Sequence, residues 1–219
     1  MPYNLPHLDC TTEQRRVSLC NQYIIHANAC ITLYNGDIVK SDANNRTIYD
    51  HYYQFSCHTR KNDGTENEAS YILTVGETAA RHLCSLTKEQ LPSSFNPYIG
   101  EPGAGEGNGG GNNDSAWNPL RRSFYYAVQL FIMRYQNSLV PGTAIFKLLN
   151  NISSSKYLGY PPQDFQFEKF MRIVSKYKSS IPKIIGELSQ HKEIRNFNFT
   201  ALANEAEKYV TDEIYNVFR

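Results

Sequence analysis

The side chains best suited by type to chemistry are cysteines and histidines in the N-terminal half of the chain. Cys30 and His51 fall in two segments that the sequence predicts as neighbouring β-strands, so a thiol and an imidazole could meet across a sheet. Such a pair would serve a Cys–His hydrolase or transferase with Cys30 as nucleophile. The competing interpretation is a buried Cys packed as a small apolar side chain beside a His that binds the backbone. The sequence favours that competing interpretation.

Metal ligation is a second chemistry that these residue types could support. His51, His58 and Asp50 are the closest group of ligand types, but a seven-residue spacing in a strand puts the two imidazoles on opposite faces. The chain has five cysteines, an odd number, and no Cys-x-x-Cys pair. This pattern predicts neither a zinc site nor a disulfide framework. We therefore expect no metal site and no cofactor.

Phosphate contact is a third chemistry, and its candidates are two adjacent arginines. Arg121 and Arg122 lie in the first turn of a predicted helix, where the helix dipole makes positive charge unfavourable. A phosphate partner would offset this, so the pair is the candidate nucleic-acid-binding site of an RNA-binding coat or nucleocapsid-type protein. The net charge of +1 provides no general attraction for nucleic acid. RNA binding is therefore an alternative hypothesis.

The stretch around which the rest of the chain is organised covers residues 118 to 140. Between residues 123 and 135 only three polar side chains interrupt a run of aromatic and aliphatic ones, so the predicted helix must be enclosed by protein. Asn118 can cap its start, with Pro119 in the first helical position. The apolar run is shorter than the roughly 18 residues that indicate a membrane span. We expect a core helix and no membrane span.

Turn signals and strand-forming residues predict a small antiparallel sheet in the N-terminal half. Asn35-Gly36 and Asn62-Asp63-Gly64 are the hairpin signals. A capping box of Thr11 with Gln14 opens the first of two helices expected to flank the sheet. The predicted strands cover residues 23 to 26, 29 to 34, 47 to 57 and 71 to 75, a return strand begins at Ile38, and the second helix covers residues 77 to 91.

The C-terminal half is predicted to be a mostly α-helical bundle, which makes the fold class α+β. The boundaries are a mixed α/β region at residues 1 to 99, a Gly-rich connection at residues 100 to 116 and a helical region at residues 117 to 219. We expect these parts to form one compact domain. The Gly-rich segment has no Lys-Ser/Thr end, which argues against a phosphate-binding loop. Besides the central helix, helices are predicted at residues 143 to 150, 165 to 178 and 181 to 191, and from residue 200 through Val217.

No motif in the sequence is diagnostic of one chemistry, so the functional hypothesis depends on composition. The chain has 16 Tyr and 11 Phe, and Tyr is suited to contact surfaces as well as to cores. The leading hypothesis is a non-enzymatic structural protein, a coat-like or scaffold-like subunit that binds copies of itself or other protein subunits. The N-terminal residues have no signal-peptide pattern, and we interpret four Asn-x-Ser/Thr triplets as chance. Cytoplasm or another reducing compartment is the expected location.

Overall fold

A computed structural model describes residues 8 to 92, 94 to 99, 116 to 135 and 142 to 219. It confirms the α+β class, since a small antiparallel sheet lies in the N-terminal half and most helices lie in the C-terminal half. The chain divides into two compact units, Met1–Ser93 and Ser94–Arg219. Residues 94 to 99 therefore group with the helical half. The prediction of a single compact domain stays a prediction, and the Gly-rich connection lies almost wholly outside the described residues.

The first unit contains a three-stranded antiparallel sheet in the order β1-β4-β5, a two-stranded ribbon of β2 and β3, and two helices. The long hairpin of β4 and β5 turns at Gly64, whose positive φ of 81° suits glycine, as the sequence predicts. The elements in chain order are α1 (Glu13–Gln22), β1 (Ile24–Thr32), β2 (Val39–Lys40), β3 (Thr47–Ile48), β4 (His51–Arg60), β5 (Glu66–Val75) and α2 (Glu77–Thr87).

One face of the three-stranded sheet supplies the core of this unit. Phe55 on β4 lies opposite Ala27 of β1 and Leu73 of β5, so a row of apolar side chains crosses the sheet. Leu83 of α2 and Leu19 of α1 belong to the same buried cluster. Full burial of each large side chain contributes about 1.5–3 kcal/mol relative to exposure. The helices are therefore held on the sheet mainly by these contacts.

A β-bulge at Asn28 shifts the alternation of side chains along β1. His26 lies opposite Ser56, whereas Cys30 lies opposite Tyr53. Residues 26 and 30 would share a face in a regular strand, since successive side chains alternate. The extra residue puts them on opposite faces, with Cys30 on the core side.

Carboxylates bind the outer strands on both sides of this sheet. The N–H of Ala27 in β1 donates to Oε2 of Glu89, which follows α2. The N–H of Thr74 in β5 donates to Oδ2 of Asp42 at 2.7 Å, and the N–H of Asp42 donates back to the carbonyl of Thr74 at 2.8 Å. Unpaired edge groups are templates for pairing with another chain. These contacts occupy one backbone N–H of β1, and one N–H and one carbonyl of β5.

The predicted turn at Asn35-Gly36 forms, but the hairpin inferred from it is wrong. The N–H of Asp37 donates to the carbonyl of Tyr34 at 2.9 Å, and both turn residues have positive φ. Beyond the turn, β2 pairs with β3, while β1 pairs with β4. The ten-residue β4 buries several aromatic side chains, so it is a better partner for β1 than the two-residue β2. The predicted strand at residues 47 to 57 correspondingly breaks between Ile48 and His51.

The first helix also begins one residue later than predicted. Thr12 is its N-cap, with Oγ1 accepting from the N–H of Arg15 at 3.2 Å. Thr11, predicted as the cap, instead donates through its hydroxyl to Asp9 at 2.7 Å. A single-residue error is small, because Thr suits either position.

The second unit is helical, and its central helix is the enclosed element that the sequence predicts. Ten of the sixteen residues of this helix are buried, and Asn118 caps it by accepting from the N–H groups of Leu120 and Arg121. Phe124 stacks on Phe167 with ring centroids 4.7 Å apart. The helices are α3 (Pro119–Arg134), α4 (Ala144–Ser153), α5 (Asp164–Lys176), α6 (Ile181–Leu188) and α7 (Thr200–Ala206), with 3-10 turns at Ser155–Tyr157 and Glu207–Tyr209.

Two helix ends differ from the prediction. The central helix ends at Arg134, and the predicted end at residues 136 to 140 lies outside the described residues. The last helix ends at Ala206, although a continuous helix was predicted through Val217. Val210 is extended, and Thr211 bonds with Ile214 in a turn that still buries Ile214 and Val217. Two successive β-branched residues disfavour continuation of the helix there.

Candidate functional site

The strands that carry Cys30 and His51 are neighbours, but the register does not put these residues opposite each other. Cys30 lies opposite Tyr53, to which it is hydrogen-bonded, and His51 lies opposite Thr32. His51 contacts Asp50 at 3.1 Å between Nδ1 and Oδ2. Cys30 is fully buried. This placement is that of a core thiol, and the Cys–His hydrolase hypothesis stays a prediction that the geometry does not support.

The environment of the other cysteines also favours the neutral thiol. All five cysteines are free, and four are buried. Burial raises the pKa of Cys10 to about 11, of Cys57 to about 12 and of Cys84 to about 11. The thiolate is the nucleophilic form. These three thiols are therefore poorly suited to nucleophilic catalysis near neutral pH.

Arg121, proposed as a nucleic-acid contact, is 2% exposed, and backbone oxygens surround its guanidinium. Nε–H donates to the carbonyl of Tyr160 at 2.7 Å, and Nη2–H donates to the carbonyl of Pro161 at 3.1 Å. Nη1–H groups donate to the carbonyls of Asn151 at 3.3 Å and Ile152 at 3.2 Å, at the end of α4. These contacts account for a cation in the first turn of α3. Nothing in them supports phosphate binding by Arg121.

Arg122, the second proposed nucleic-acid contact, is half-buried in the next position of α3. The two arginines are adjacent in sequence but differ in environment, because successive positions of a helix point about 100° apart. RNA binding through this pair stays a prediction.

The loop that Arg121 holds carries exposed aromatic side chains. Tyr160 is 66% exposed, and Phe165 near the start of α5 is 52% exposed. Tyr157 is also exposed, and the N–H of Tyr160 donates to its carbonyl at 3.0 Å. We call these three side chains the aromatic loop surface. Large apolar side chains grouped on an exposed segment are typical of contact surfaces.

A third backbone contact fixes this loop to the start of the central helix. The N–H of Asn118 donates to the carbonyl of Leu158 at 2.7 Å. Together with the bonds from Arg121 to Tyr160 and Pro161, it ties three of four consecutive carbonyl positions to α3. The loop is therefore held in one conformation by buried and half-buried groups.

Charges of both signs flank the aromatic loop surface. The ammonium of Lys156 lies 5.3 Å from the ring centroid of Tyr157. Asp164, exposed at the first position of α5, accepts from the hydroxyl of Tyr209 at 2.8 Å. Burial and the Asp164 carboxylate raise the pKa of Tyr209 to about 12, so that hydroxyl keeps its proton. The surface thus has a cation beside Tyr157 and an anion next to Phe165 in the chain.

A separate cluster in the first unit contains two histidines and two carboxylates. His26 Nδ1 lies 2.6 Å from Oε1 of Glu89, and His26 Nε2 lies 2.7 Å from Oε2 of Glu66. The hydrogen bond to Glu89 and the nearby Glu66 raise the pKa of His26 to about 9, although partial burial opposes the shift. His26 is therefore an imidazolium at neutral pH.

His58 completes this cluster from the central strand. Its ring centroid lies 5.2 Å from that of His26. Nδ1 lies 2.8 Å from the carbonyl oxygen of Asn67, and Nε2 lies 2.9 Å from Oγ of Ser56. One potential ligand atom from each of His26, His58 and Glu66 lies within 4.8 Å of the others. Within the part of the chain that the structure describes, these three residues could hold a metal ion.

In the sequence, the ligand-type residues grouped with His58 are His51 and Asp50. Strand alternation puts His51 on the core face of β4, beside Tyr53, and His58 on the other face, beside Ser56. The true neighbours of His58 come from β1 and β5, and no local spacing indicates them. Only the strand register could have revealed the cluster.

The comparisons with known proteins identify no relative for this arrangement. No protein-family model matches the chain, and neither a curated protein nor a solved structure matches it. Among the helices in the described residues, none has the length and apolar character required to cross a bilayer.

Proposed function

We propose that the protein is a non-enzymatic assembly subunit, of scaffold or coat type, that self-associates through the aromatic loop surface. The observation that supports this proposal is the anchoring of the loop by Arg121. A buried cation with four backbone acceptors holds in place a segment whose aromatic side chains face solvent.

The anchoring matters energetically because binding normally costs conformational entropy. Immobilising a flexible side chain or loop on association costs about 0.5–1.5 kcal/mol per rotamer-rich side chain. The loop at residues 157 to 161 is already ordered by its contacts with α3, so little of the backbone cost remains. Tyr is also among the residues that contribute most to interface energies. A fixed loop with Tyr157 and Tyr160, followed by Phe165 in the first turn of α5, has the properties of an interface centre.

The charges around this surface favour a second copy of the chain as the partner. A two-fold interface uses the same patch on both molecules and must be complementary to itself. The patch carries one charge of each sign, Lys156 and Asp164, so a two-fold axis could pair the Lys156 of one copy with the Asp164 of the other. The net charge of +1 adds little repulsion between copies.

Light scattering coupled to size-exclusion chromatography tests the proposal over a range of protein concentrations. We expect the mass of the parent to rise with concentration, and the double variant Tyr160→Ser with Phe165→Ser to stay monomeric. Tyr49→Ser is the matched control, since Tyr49 is 72% exposed in the first unit and should not affect association. A parent that stays monomeric throughout, or a double variant that associates like the parent, would contradict the proposal.

Exchanging the charges at residues 156 and 164 tests whether the partner is a second copy of the chain. Lys156→Glu should weaken self-association, because it puts two carboxylates opposite each other at the interface. Adding Asp164→Lys should restore association, since the opposite charges are again paired. Circular dichroism melting of each variant checks the fold, because Asp164 also stabilises the start of α5. Equal association of parent, single variant and double variant would show that the two side chains do not pair.

A further inference from the structure

We propose that His26, His58 and Glu66 bind a divalent first-row transition-metal ion, with Zn²⁺ the ion that best fits the donor set. Two imidazoles and a carboxylate are common zinc ligands, and sites with three protein ligands keep a fourth position for water. The three residues come from β1, β4 and β5, which are adjacent strands of one sheet. The backbone therefore positions them on a rigid support.

The distances between the donor atoms are close to those that the ion requires. Tetrahedral zinc with ligand bonds of 2.0–2.1 Å separates its donor atoms by about 3.3 Å. His26 Nε2 and Glu66 Oε2 are 2.7 Å apart, and the ligand atoms of the three residues all lie within 4.8 Å of one another. Side-chain rotations that move the donor atoms by about one ångström would therefore form the site.

The hydrogen bonds of His26 orient it as a ligand. Metal-binding histidines characteristically donate the other ring N–H to a carboxylate or a backbone carbonyl. Glu89 accepts from Nδ1 of His26 at 2.6 Å, which directs Nε2 toward Glu66. Glu89 is itself held by the backbone N–H of Ala27.

His58 has the equivalent arrangement with a backbone acceptor. The carbonyl of Asn67 accepts from Nδ1–H of His58 at 2.8 Å, so Nε2 offers its lone pair. Nε2 lies 2.9 Å from Oγ of Ser56, and the hydroxyl of Ser56 donates to Oδ1 of Asn28 at 3.1 Å. This donation does not involve Nε2, so it persists when an ion binds that nitrogen. Metal binding therefore leaves no donor of Ser56 unpaired.

Charge and access are also compatible with an ion. The side chains of His26 and Glu66 are 41% and 44% exposed, so the ion can enter from solvent and keep a bound water. The ion binds Nε2 of His26 in place of a proton, as metal binding by imidazole requires. The divalent ion then lies between the Glu66 carboxylate and two neutral imidazoles, with Glu89 adjacent.

Competition with a chromophoric chelator measures binding of Zn²⁺ alone to metal-free protein in a thiol-free reducing buffer. We expect one ion per chain, with affinity lowered at least tenfold in His26→Gln and in His58→Gln. His51→Gln is the matched control, because His51 lies on the opposite face of β4. No binding by the parent, or equal affinity in all the variants, would overturn the proposal.

Two further measurements separate this site from adventitious binding by cysteine. Co²⁺ bound here should show visible d–d absorption without thiolate charge-transfer bands, and such bands would place the ion on sulfur and overturn the proposal. Glu89→Gln removes the carboxylate that orients His26 and should lower affinity about 10–100-fold. Unchanged affinity in this variant, with the fold verified by circular dichroism, would contradict the role assigned to Glu89. Self-association is measured separately, so either proposal can fail alone.

Discussion

The Nε–H of Arg121 donates to the backbone carbonyl of Tyr160 at 2.7 Å, which joins a buried cation to a residue whose own side chain is mostly exposed. The bond spans 39 positions in sequence and connects α3 to the loop before α5. Burial lowers the pKa of Arg121, but the guanidinium stays charged, because arginine titrates far above neutral pH. The loop and the central helix are therefore coupled through one side chain.

Replacing Arg121 with Met should destabilise the protein and loosen the aromatic loop surface. Four backbone carbonyls would lose a charged donor, and hydrogen bonds to charged groups contribute about 1.5–3 kcal/mol each without being additive. We expect a loss of about 3 kcal/mol or more in the free energy of unfolding, measured by urea denaturation. Arg122→Met is the control and should cost distinctly less. Equal losses in the two variants would show that Arg121 has no special structural role.

Replacing Phe124 with Ala should lower the free energy of unfolding more than most single substitutions in the helical unit. Phe124 is fully buried, stacks on Phe167 at 4.7 Å and meets Phe170 edge-on at 5.4 Å. Phe→Ala changes in cores cost about 3–5 kcal/mol. The urea midpoint of the variant measures this loss. Ser123→Ala, at the preceding half-buried position, is the comparison and should change it little.

Substitution of two glycines by Ala should change stability in opposite directions. At both positions the added methyl group would meet open space, so packing does not cause the difference. Gly64 has a φ of +81° in the β4–β5 turn, so Gly64→Ala should cost about 1–2 kcal/mol through backbone strain. Gly186 lies inside α6, so Gly186→Ala should stabilise by about 0.5–1 kcal/mol. Thermal unfolding followed by circular dichroism compares the two variants. The same sign of change for both would contradict the turn geometry.

The buried thiols should make the folded state less stable as pH rises from 9 to 11. Burial raises the pKa of Cys10 and of Cys84 to about 11 from an ordinary 9.0, so the unfolded chain loses these protons first. Below pH 9 both states hold the protons, and the stabilising contribution is complete. As pH rises through 11 that contribution is lost.

Urea denaturation at pH 8 to 11 under reducing conditions measures this dependence. The variant Cys10→Ala with Cys84→Ala should show a shallower decline, since two of the responsible groups are absent. A decline as steep as that of the parent would assign it to other groups, such as tyrosines or lysines.

Sequence patterns predicted the features that depend on neighbouring residues. The Asn118 cap, the enclosed α3 and the turn at Gly64 all follow from residue type and short spacing, and the structure confirms them. The partner of β1 was not predictable in this way. The turn at Asn35 and Gly36 forms, yet pairing is decided by the apolar surface that each distant strand can bury.

The candidate sites were less predictable than the elements, because they depend on register and burial. Arg121 and Arg122 are equivalent in sequence, and only the packing of α4 and the loop at residues 157 to 161 separates them. His26 meets His58 and Glu66 because three strands align and the bulge at Asn28 changes the alternation in β1. A bulge of one residue has no clear sequence signal here. Such convergence is therefore available only from the structure.

The carboxylates of Glu89 and Asp42 bear on how copies of this chain can join. A neighbour that tried to extend the sheet would have to displace an anion that already binds a backbone N–H at each flank. Main-chain polymerisation into cross-β fibres is thereby disfavoured in the native state, even at high local concentration. The proposed self-association would accordingly use side chains of folded molecules, and a two-fold contact of that kind closes on itself.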